Sequence, residues 1–62
     1  MGYYIIKKSS KNPGQPYYFI LKADNHETIA QSEMYSSKDA CKKGIAAVQK
    51  NALSTEIRED KL

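Results

Sequence analysis

The residues of this chain best suited to chemistry are its single histidine, its single cysteine and a short serine–lysine segment. His26 lies beside Asp24 and Glu27, and an imidazole next to a carboxylate is the pairing used in general acid–base catalysis. Such catalysis needs a group held in a sheltered pocket, whereas this segment has the composition of a hairpin tip, which is usually exposed to water. We therefore interpret His26 as a solvated turn residue.

Cys41 lies on the apolar stripe of a predicted helix, where cysteine behaves as a small hydrophobic residue. A nucleophilic cysteine would need a neighbouring base and an electropositive site. One cysteine excludes an intramolecular disulfide, and one cysteine with one histidine cannot form a multi-cysteine zinc site. We therefore expect a structural cysteine, no bound metal and no cofactor.

The segment Ser36-Ser37-Lys38 contains the residue types of a serine–lysine catalytic pair. A helix cap explains both serines without further assumptions, because a serine oxygen accepts a free N–H of the first helical turn. The N–H groups of a helix start can also hold a small anion, and Lys38 would be close to it. We keep this anion site as a hypothesis and predict that the protein is not an enzyme.

Tyrosines and lysines alternate with apolar residues in the first half of the chain. Aromatic residues beside basic ones are how single-stranded nucleic acids are bound, through stacking and phosphate contacts. Tyrosine is also an ordinary strand residue, and lysine on a sheet edge opposes aggregation. The net charge of +3 permits a polyanion as a partner without requiring one. The residues concerned are Tyr3, Tyr17, Tyr18, Lys7, Lys8, Lys11 and Lys22.

Three strands and one helix would position these groups. Aromatic and β-branched residues predict strands over 3–8, 17–23 and 28–33, which form an antiparallel meander. Residues 9–16 form a loop with two prolines, and Asn25 supplies the positive φ of the second turn.

The helix is predicted over residues 37–51, with Ser36 or Ser37 as its cap. If Ser36 is the cap, Asp39 takes the acidic position of a capping box. Gly44 lies on the apolar stripe, where glycine costs about 1 kcal/mol relative to alanine. We therefore expect a close approach of the helix to the sheet at Gly44. The stripe consists of Cys41, Gly44, Ile45, Val48 and Ala52.

Alternation along the strands leaves apolar residues on both faces of the sheet, although one helix covers only one face. The second face, which we expect to contact a partner, carries Tyr3, Ile5, Lys7, Tyr18, Ile20 and Lys22. A domain of 62 residues buries only about 60% of the surface of its unfolded chain. With disulfides and metals excluded, oligomerisation remains as the stabilising device. Residues 55–59 are either a short strand or a frayed tail.

One set of residues, spread over about residues 4–52, has the pattern of a known family: Leu21-Lys22-Ala23, Asn25, Ile29-Ala30, Ser32-Glu33, Tyr35-Ser36-Ser37-Lys38, Gly44-Ile45 and Val48. Through these residues the chain resembles the YegP-like family, a bacterial domain of unknown function. The resemblance implies three strands, a helix and a final strand (β3-α-β), and some family members carry two tandem copies that form one continuous sheet and exchange their C-terminal strands. It therefore implies a strand-swapped homodimer here. The family has no established catalytic or binding residues.

Two features depart from the family pattern: Asn25-His26 replaces the common Asn-Gly, and the loop at 9–16 looks longer than usual. The first residues have their charges behind a short apolar run, unlike a secretory signal, and no apolar stretch approaches a membrane span. We therefore predict one α+β domain over 1–62, a cytoplasmic homodimeric binding or scaffold module without a membrane partner. The alternative is weak single-stranded nucleic-acid binding on the tyrosine- and lysine-bearing face.

Overall fold

A computed structural model of the chain describes residues 1–60, which form an antiparallel sheet and one helix. The strands are β1 (Tyr3–Lys8), β2 (Tyr17–Lys22) and β3 (Thr28–Gln31), and the sheet order is β1-β2-β3. Helix α1 (Lys38–Asn51) follows them. The predicted α+β class and the antiparallel arrangement of the strands are therefore confirmed.

The two faces of the sheet follow from the pairing of β1 with β2, which runs from Tyr3 opposite Lys22 to Lys8 opposite Tyr17. Side chains alternate between faces, and directly paired residues share a face. The covered face packs against α1 and carries Tyr4, Ile6, Tyr17, Phe19 and Leu21. The open face carries Tyr3, Ile5, Lys7, Tyr18, Ile20, Lys22, Thr28 and Gln31, and Ile29 lies beside Thr28 in a bulge of β3.

Strand β3 ends at Gln31, two residues earlier than predicted. At Ser32 the side-chain oxygen takes the place of a backbone carbonyl as the acceptor for β2. Its Oγ accepts the N–H of Phe19 at 2.8 Å, while its own N–H donates to the Phe19 carbonyl at 2.9 Å. Backbone pairing resumes at Tyr35, which exchanges two hydrogen bonds with Tyr17 at 2.6 and 3.0 Å. The segment before the helix is therefore fixed to the central strand.

The turn between β2 and β3 has its positive φ at His26 (71°), whereas the sequence predicted it at Asn25. The His26 N–H donates to the Ala23 carbonyl at 2.9 Å, and the Ala23 N–H donates to the Glu27 carbonyl at 2.8 Å. This is a three-residue hairpin loop, in which the third residue is left-handed. Asn25 instead accepts the Glu27 N–H through its side chain. Strand β2 consequently stops at Lys22, one residue before the predicted end.

Helix α1 begins at Lys38 because Ser37 is its cap. The Ser37 Oγ accepts the Ala40 N–H at 3.0 Å, and Ser37 itself has extended backbone angles. With Ser37 as the cap, the acidic position of a capping box falls on Ala40, so Asp39 lies one position too early. Asp39 would take that position only if Ser36 were the cap. The helix ends at Asn51, whose side chain donates to the Ala47 carbonyl at 2.8 Å. Within residues 1–60, no helix has the length and apolar character needed to cross a membrane.

The core lies between the covered face and the helix. Phe19 makes an edge contact with Tyr4, with ring centroids 6.0 Å apart, and stacks on Tyr35 at 6.2 Å. A Cβ built on Gly44 would lie 2.7 Å from the Tyr35 Cζ, so the helix does approach its neighbour closely. The group that the helix approaches at Gly44 is the Tyr35 ring, whereas the sequence predicted a close approach to the sheet. Cys41 is fully buried.

The strand predicted over 55–59 is absent from the single chain: residues 52–60 form no regular element and are exposed. A strand needs a neighbour for its N–H and C=O groups, and no strand described in residues 1–60 lies beside this segment. Leu53 and Ile57 are each 88% exposed.

Candidate functional site

Two cross-strand pairs, each of one tyrosine and one lysine, frame the open face. Tyr3 lies opposite Lys22 at one end of the β1–β2 pairing, and Lys7 lies opposite Tyr18 towards the other end. The two pairs are arranged in opposite senses, so each strand contributes one tyrosine and one lysine. The sheet therefore brings together the aromatic and basic residues that the sequence assigned to this face.

An isoleucine pair, Ile5 opposite Ile20, separates the two tyrosine–lysine pairs. Ile20 is only 8% exposed and Ile5 is partly buried, so neither forms the open apolar patch expected from the sequence. Ile20 lies on the central strand, and Gln31 on β3 lies on its other side. Longer side chains on this face thus shield its apolar centre. The accessible part of the face is mainly tyrosine, lysine and glutamine, and Ile29 (61% exposed) adds an aliphatic side chain at its edge on β3.

Two polar contacts hold residues of this face in place. The Tyr3 hydroxyl and the His26 Nδ1 are 2.7 Å apart, and the two rings meet edge to face with centroids separated by 5.8 Å. The Lys22 Nζ donates to the Thr28 Oγ1 at 2.9 Å. Sequence reasoning missed His26 and Thr28 as members of this site. The hairpin register is the signal that could have revealed them, because it returns the second turn and β3 to the side of Lys22 and Tyr3.

Part of the basic and aromatic set lies elsewhere. Lys8 and Tyr17 share the covered face, where the Lys8 Nζ lies 5.6 Å from the centroid of the Tyr17 ring. Lys11 is in the exposed loop between β1 and β2. Of the lysines expected to meet a polyanion, Lys7 and Lys22 are therefore the ones placed on the open face, and Lys7 is the more exposed.

The imidazole–carboxylate neighbourhood suggested by the sequence does not become a bonded pair in the described chain. His26 contacts Tyr3, and the Asp24 carboxylate lies 3.8 Å from the amino group of Met1 at the surface. Within residues 1–60, no three His, Cys, Asp or Glu side chains are grouped so that they could hold a metal ion.

Ser36, Ser37 and Lys38 lie together at the exposed start of α1. The Ser37 Oγ already accepts one N–H of the first turn, from Ala40. Ser37 is therefore explained as the helix cap. The anion site at Ser36, Ser37 and Lys38 stays a prediction.

Within residues 1–60, the two groups with shifted pKa values are the buried Cys41 and the half-buried Tyr35, whose ring lies between Phe19 and the helix. Burial raises the pKa of the Cys41 thiol, which keeps the thiol in its neutral form. Burial is also the main reason that the pKa of Tyr35 is raised, with smaller contributions from the Glu33 carboxylate and from Cys41 when its thiol is ionised. Since a nucleophilic cysteine requires a lowered pKa, this environment is that of a structural cysteine.

Comparison with known proteins identifies relatives of this chain over most of its length. It is 54% identical over 56 residues to the UPF0339 protein YegP of Yersinia pestis, a match covering 90% of this chain and 47% of the relative. It is 45% identical over 60 residues to the YegP protein of Escherichia coli K12, covering 97% of this chain and 52% of the relative. The chain thus spans about half the length of these relatives.

The match to the UPF0339 protein MS1092 of Mannheimia succiniciproducens is similar: 50% identity over 52 residues, covering 84% of this chain and 44% of the relative. Residues 14–59 match the family described as "Domain of unknown function (DUF1508)", a range that includes β2, β3, α1 and the segment after the helix. The chain therefore belongs to the DUF1508 family of bacterial UPF0339 (YegP-like) proteins, whose function is unknown.

Proposed function

We propose that the chain is a non-enzymatic binding or scaffold module that works as a homodimer, in which residues 55–59 of each copy add a strand to the sheet of the other. The observation that carries this proposal is Ile57, which is 88% exposed at the centre of an otherwise polar segment. The family match continues to residue 59, eight residues beyond the end of α1, so this segment is part of the family unit.

The outer edge of β1 is a suitable acceptor for the added strand. The Ser9 N–H donates to the Pro16 carbonyl at 2.7 Å, which fixes the alternation of bonds along the hairpin. In an antiparallel pair every second residue bonds to the partner strand, so the N–H and C=O groups of Tyr4, Ile6 and Lys8 point away from β2. Within residues 1–60 no strand pairs with this edge. It offers about as many residues as the segment 55–59 can pair.

The small interior of the single chain also supports a dimer. Among residues 1–60 the buried side chains are those of Phe19, Ile20 and Cys41. A chain of this length buries too little apolar surface to be more than marginally stable, and association is one of the devices that compensate. The single buried thiol supports a cytoplasmic location, because proteins of reducing compartments keep their cysteines unpaired.

Light scattering on the purified protein tests the homodimer directly. We expect a mass of about twice the 7.0 kDa of one chain. Ile57→Asp should shift the protein towards the monomer, because a carboxylate would replace the apolar side chain at the centre of the added strand. Leu53→Asp is the matched control: Leu53 is equally exposed (88%) but lies outside residues 55–59.

A monomeric parent protein would contradict the proposal. So would an equal loss of dimer in the Ile57→Asp and Leu53→Asp variants, since it would show that the added charge, and not the strand, is responsible.

We further propose weak binding of single-stranded nucleic acid as a second candidate function. The observation that favours it is the placement of Tyr3, Tyr18, Lys7 and Lys22 on one face of the sheet, away from the helix. Filter binding at low salt with random RNA and single-stranded DNA tests this candidate, and the absence of retention would remove it.

A further inference from the structure

We infer that the open face binds a single strand of nucleic acid at two defined positions, with one base stacked on Tyr3, a second base stacked on Tyr18, and phosphates in contact with Lys7 and Lys22. This inference rests on the second candidate function and assigns its site. RNA and single-stranded DNA share the chemistry that such a face recognises, since both present flat bases and a negatively charged backbone.

The pairing of ring and charge is the first step of the argument. Each tyrosine has a lysine directly opposite it on the neighbouring strand, where Cβ atoms are about 5 Å apart. A nucleotide has its base and its phosphate at a comparable separation, so one cross-strand pair can contact both parts of one nucleotide. Aromatic platforms next to basic side chains bind single strands without sequence preference.

The burial of Ile20 is the second step. Because the apolar centre of the face is shielded, a partner meets mainly aromatic and charged side chains over β1 and β2, and the aliphatic side chain of Ile29 (61% exposed) lies at the edge on β3. An apolar protein surface gains little from such a face, whereas a polyanion with flat bases can use both components. The lysines supply charge complementarity, and no acidic residue is present among those on the open face (Tyr3, Ile5, Lys7, Tyr18, Ile20, Lys22, Thr28, Ile29 and Gln31).

The spacing of the two pairs is the third step. They lie four residues apart along the strands, which corresponds to about 14 Å at about 3.4 Å per residue. Stacked nucleotides advance by about 3.4 Å each along a strand. Four such steps join about five nucleotides, so a strand of that length spans both platforms, whereas a dinucleotide reaches only one.

His26 acts as a positioning residue for the first platform. Its Nδ1 lies 2.7 Å from the Tyr3 hydroxyl, and its ring contacts the Tyr3 ring edge to face. The left-handed backbone of His26 places this imidazole at the corner of the open face. A ring that is already fixed loses less conformational freedom when a base stacks on it, so binding is stronger than it would be to a free ring.

The test measures fluorescence anisotropy of fluorescein-labelled dT10 and rU10 at low salt. We expect Tyr3→Leu and Tyr18→Leu each to weaken binding by about tenfold, since one stacked base contributes about 1–3 kcal/mol. Lys7→Gln should weaken binding by less and should reduce its salt dependence. The matched control is Lys42→Gln on the exposed side of α1, which removes the same charge and should leave the affinity within about twofold of the parent.

Length and positioning supply two further measurements. Unlabelled dT5 should compete with labelled dT10 much better than dT2 does. His26→Gly keeps the left-handed turn, because glycine adopts positive φ readily, but it removes the partner of Tyr3. Tyr3→Phe removes the same hydrogen bond by deleting the Tyr3 hydroxyl. We expect each variant to weaken binding two- to threefold without lowering the melting temperature, and the double variant to be no weaker than either alone.

The outcomes separate this inference from the proposals on which it stands. Absence of binding to both oligonucleotides would overturn the second candidate function and this site together, and would leave the homodimer untouched. Binding that is lost in Lys42→Gln but retained in the tyrosine variants would overturn the site alone. Tyr3→Leu and Tyr18→Leu proteins are compared only after their melting curves and masses match those of the parent, and Lys7→Gln tests the same face without altering a ring.

Discussion

Gly44 is the residue whose substitution gives the sharpest test of packing between α1 and the rest of the molecule. We expect Gly44→Ala to destabilise the protein by about 1 kcal/mol. Overpacking costs about 1–3 kcal/mol and the better helix propensity of alanine returns about 1 kcal/mol. The reason is the Tyr35 ring, whose Cζ would lie 2.7 Å from the new Cβ. Urea unfolding of both proteins measures the difference.

The Tyr35 ring has little freedom to move aside, because it stacks on Phe19 and its backbone is bonded to Tyr17. The same substitution in a Tyr35→Leu background provides the control: without the ring, Gly44→Ala should be neutral or stabilising. A Gly44→Ala protein that is as stable as the parent would show that the ring yields without cost.

At the scale of elements, the start of α1 depends on one of two adjacent serines. We expect Ser37→Ala to lower the free energy of unfolding by about 1 kcal/mol, because the Ala40 N–H loses its acceptor. Ser36→Ala is the matched control and should change stability by less than about 0.5 kcal/mol. Thermal unfolding of the two variants side by side measures this, and equal losses would contradict the assignment of the cap.

Strand and helix positions could be read from the sequence because they depend on local patterns. Strand β1 has the predicted bounds, and α1 begins one residue later than predicted. The predicted end of β2 was wrong because the hairpin loop begins one residue earlier, and that of β3 was wrong because a side chain competes with the backbone. Ser32 takes the Phe19 N–H that regular pairing of β3 would have used, and no local pattern distinguishes it from an ordinary strand residue.

The candidate site was predictable in part for the same reason. Alternation assigned Tyr3, Lys7, Tyr18 and Lys22 to one face without knowledge of the register. The contact between Tyr3 and His26 joins residues 23 positions apart, so it depends on the pairing of β1 with β2 and on the form of the following turn. The family resemblance indicated an unusual turn but could not show which ring the imidazole would meet.

At the scale of the whole molecule, the proposed exchange of strands makes folding and association one event. We therefore expect the melting temperature to rise with protein concentration, by about 5 °C for each tenfold increase, because association stabilises the folded state by mass action. Calorimetry over a hundredfold range of concentration measures this. Ile57→Asp should show a lower melting temperature with no such dependence, and a concentration-independent parent protein would argue against obligate pairing.

The loop at residues 9–16 has a practical consequence. Its two ends are joined by the bond from the Ser9 N–H to the Pro16 carbonyl, and residues 10–15 between them are exposed. The bond at the two ends lies outside the exposed part of the loop, and surface loops accept added length at small entropic cost. An epitope tag or a reporter peptide can be inserted at Gly14, which would make the protein traceable in cells while both termini and both faces of the sheet stay unmodified.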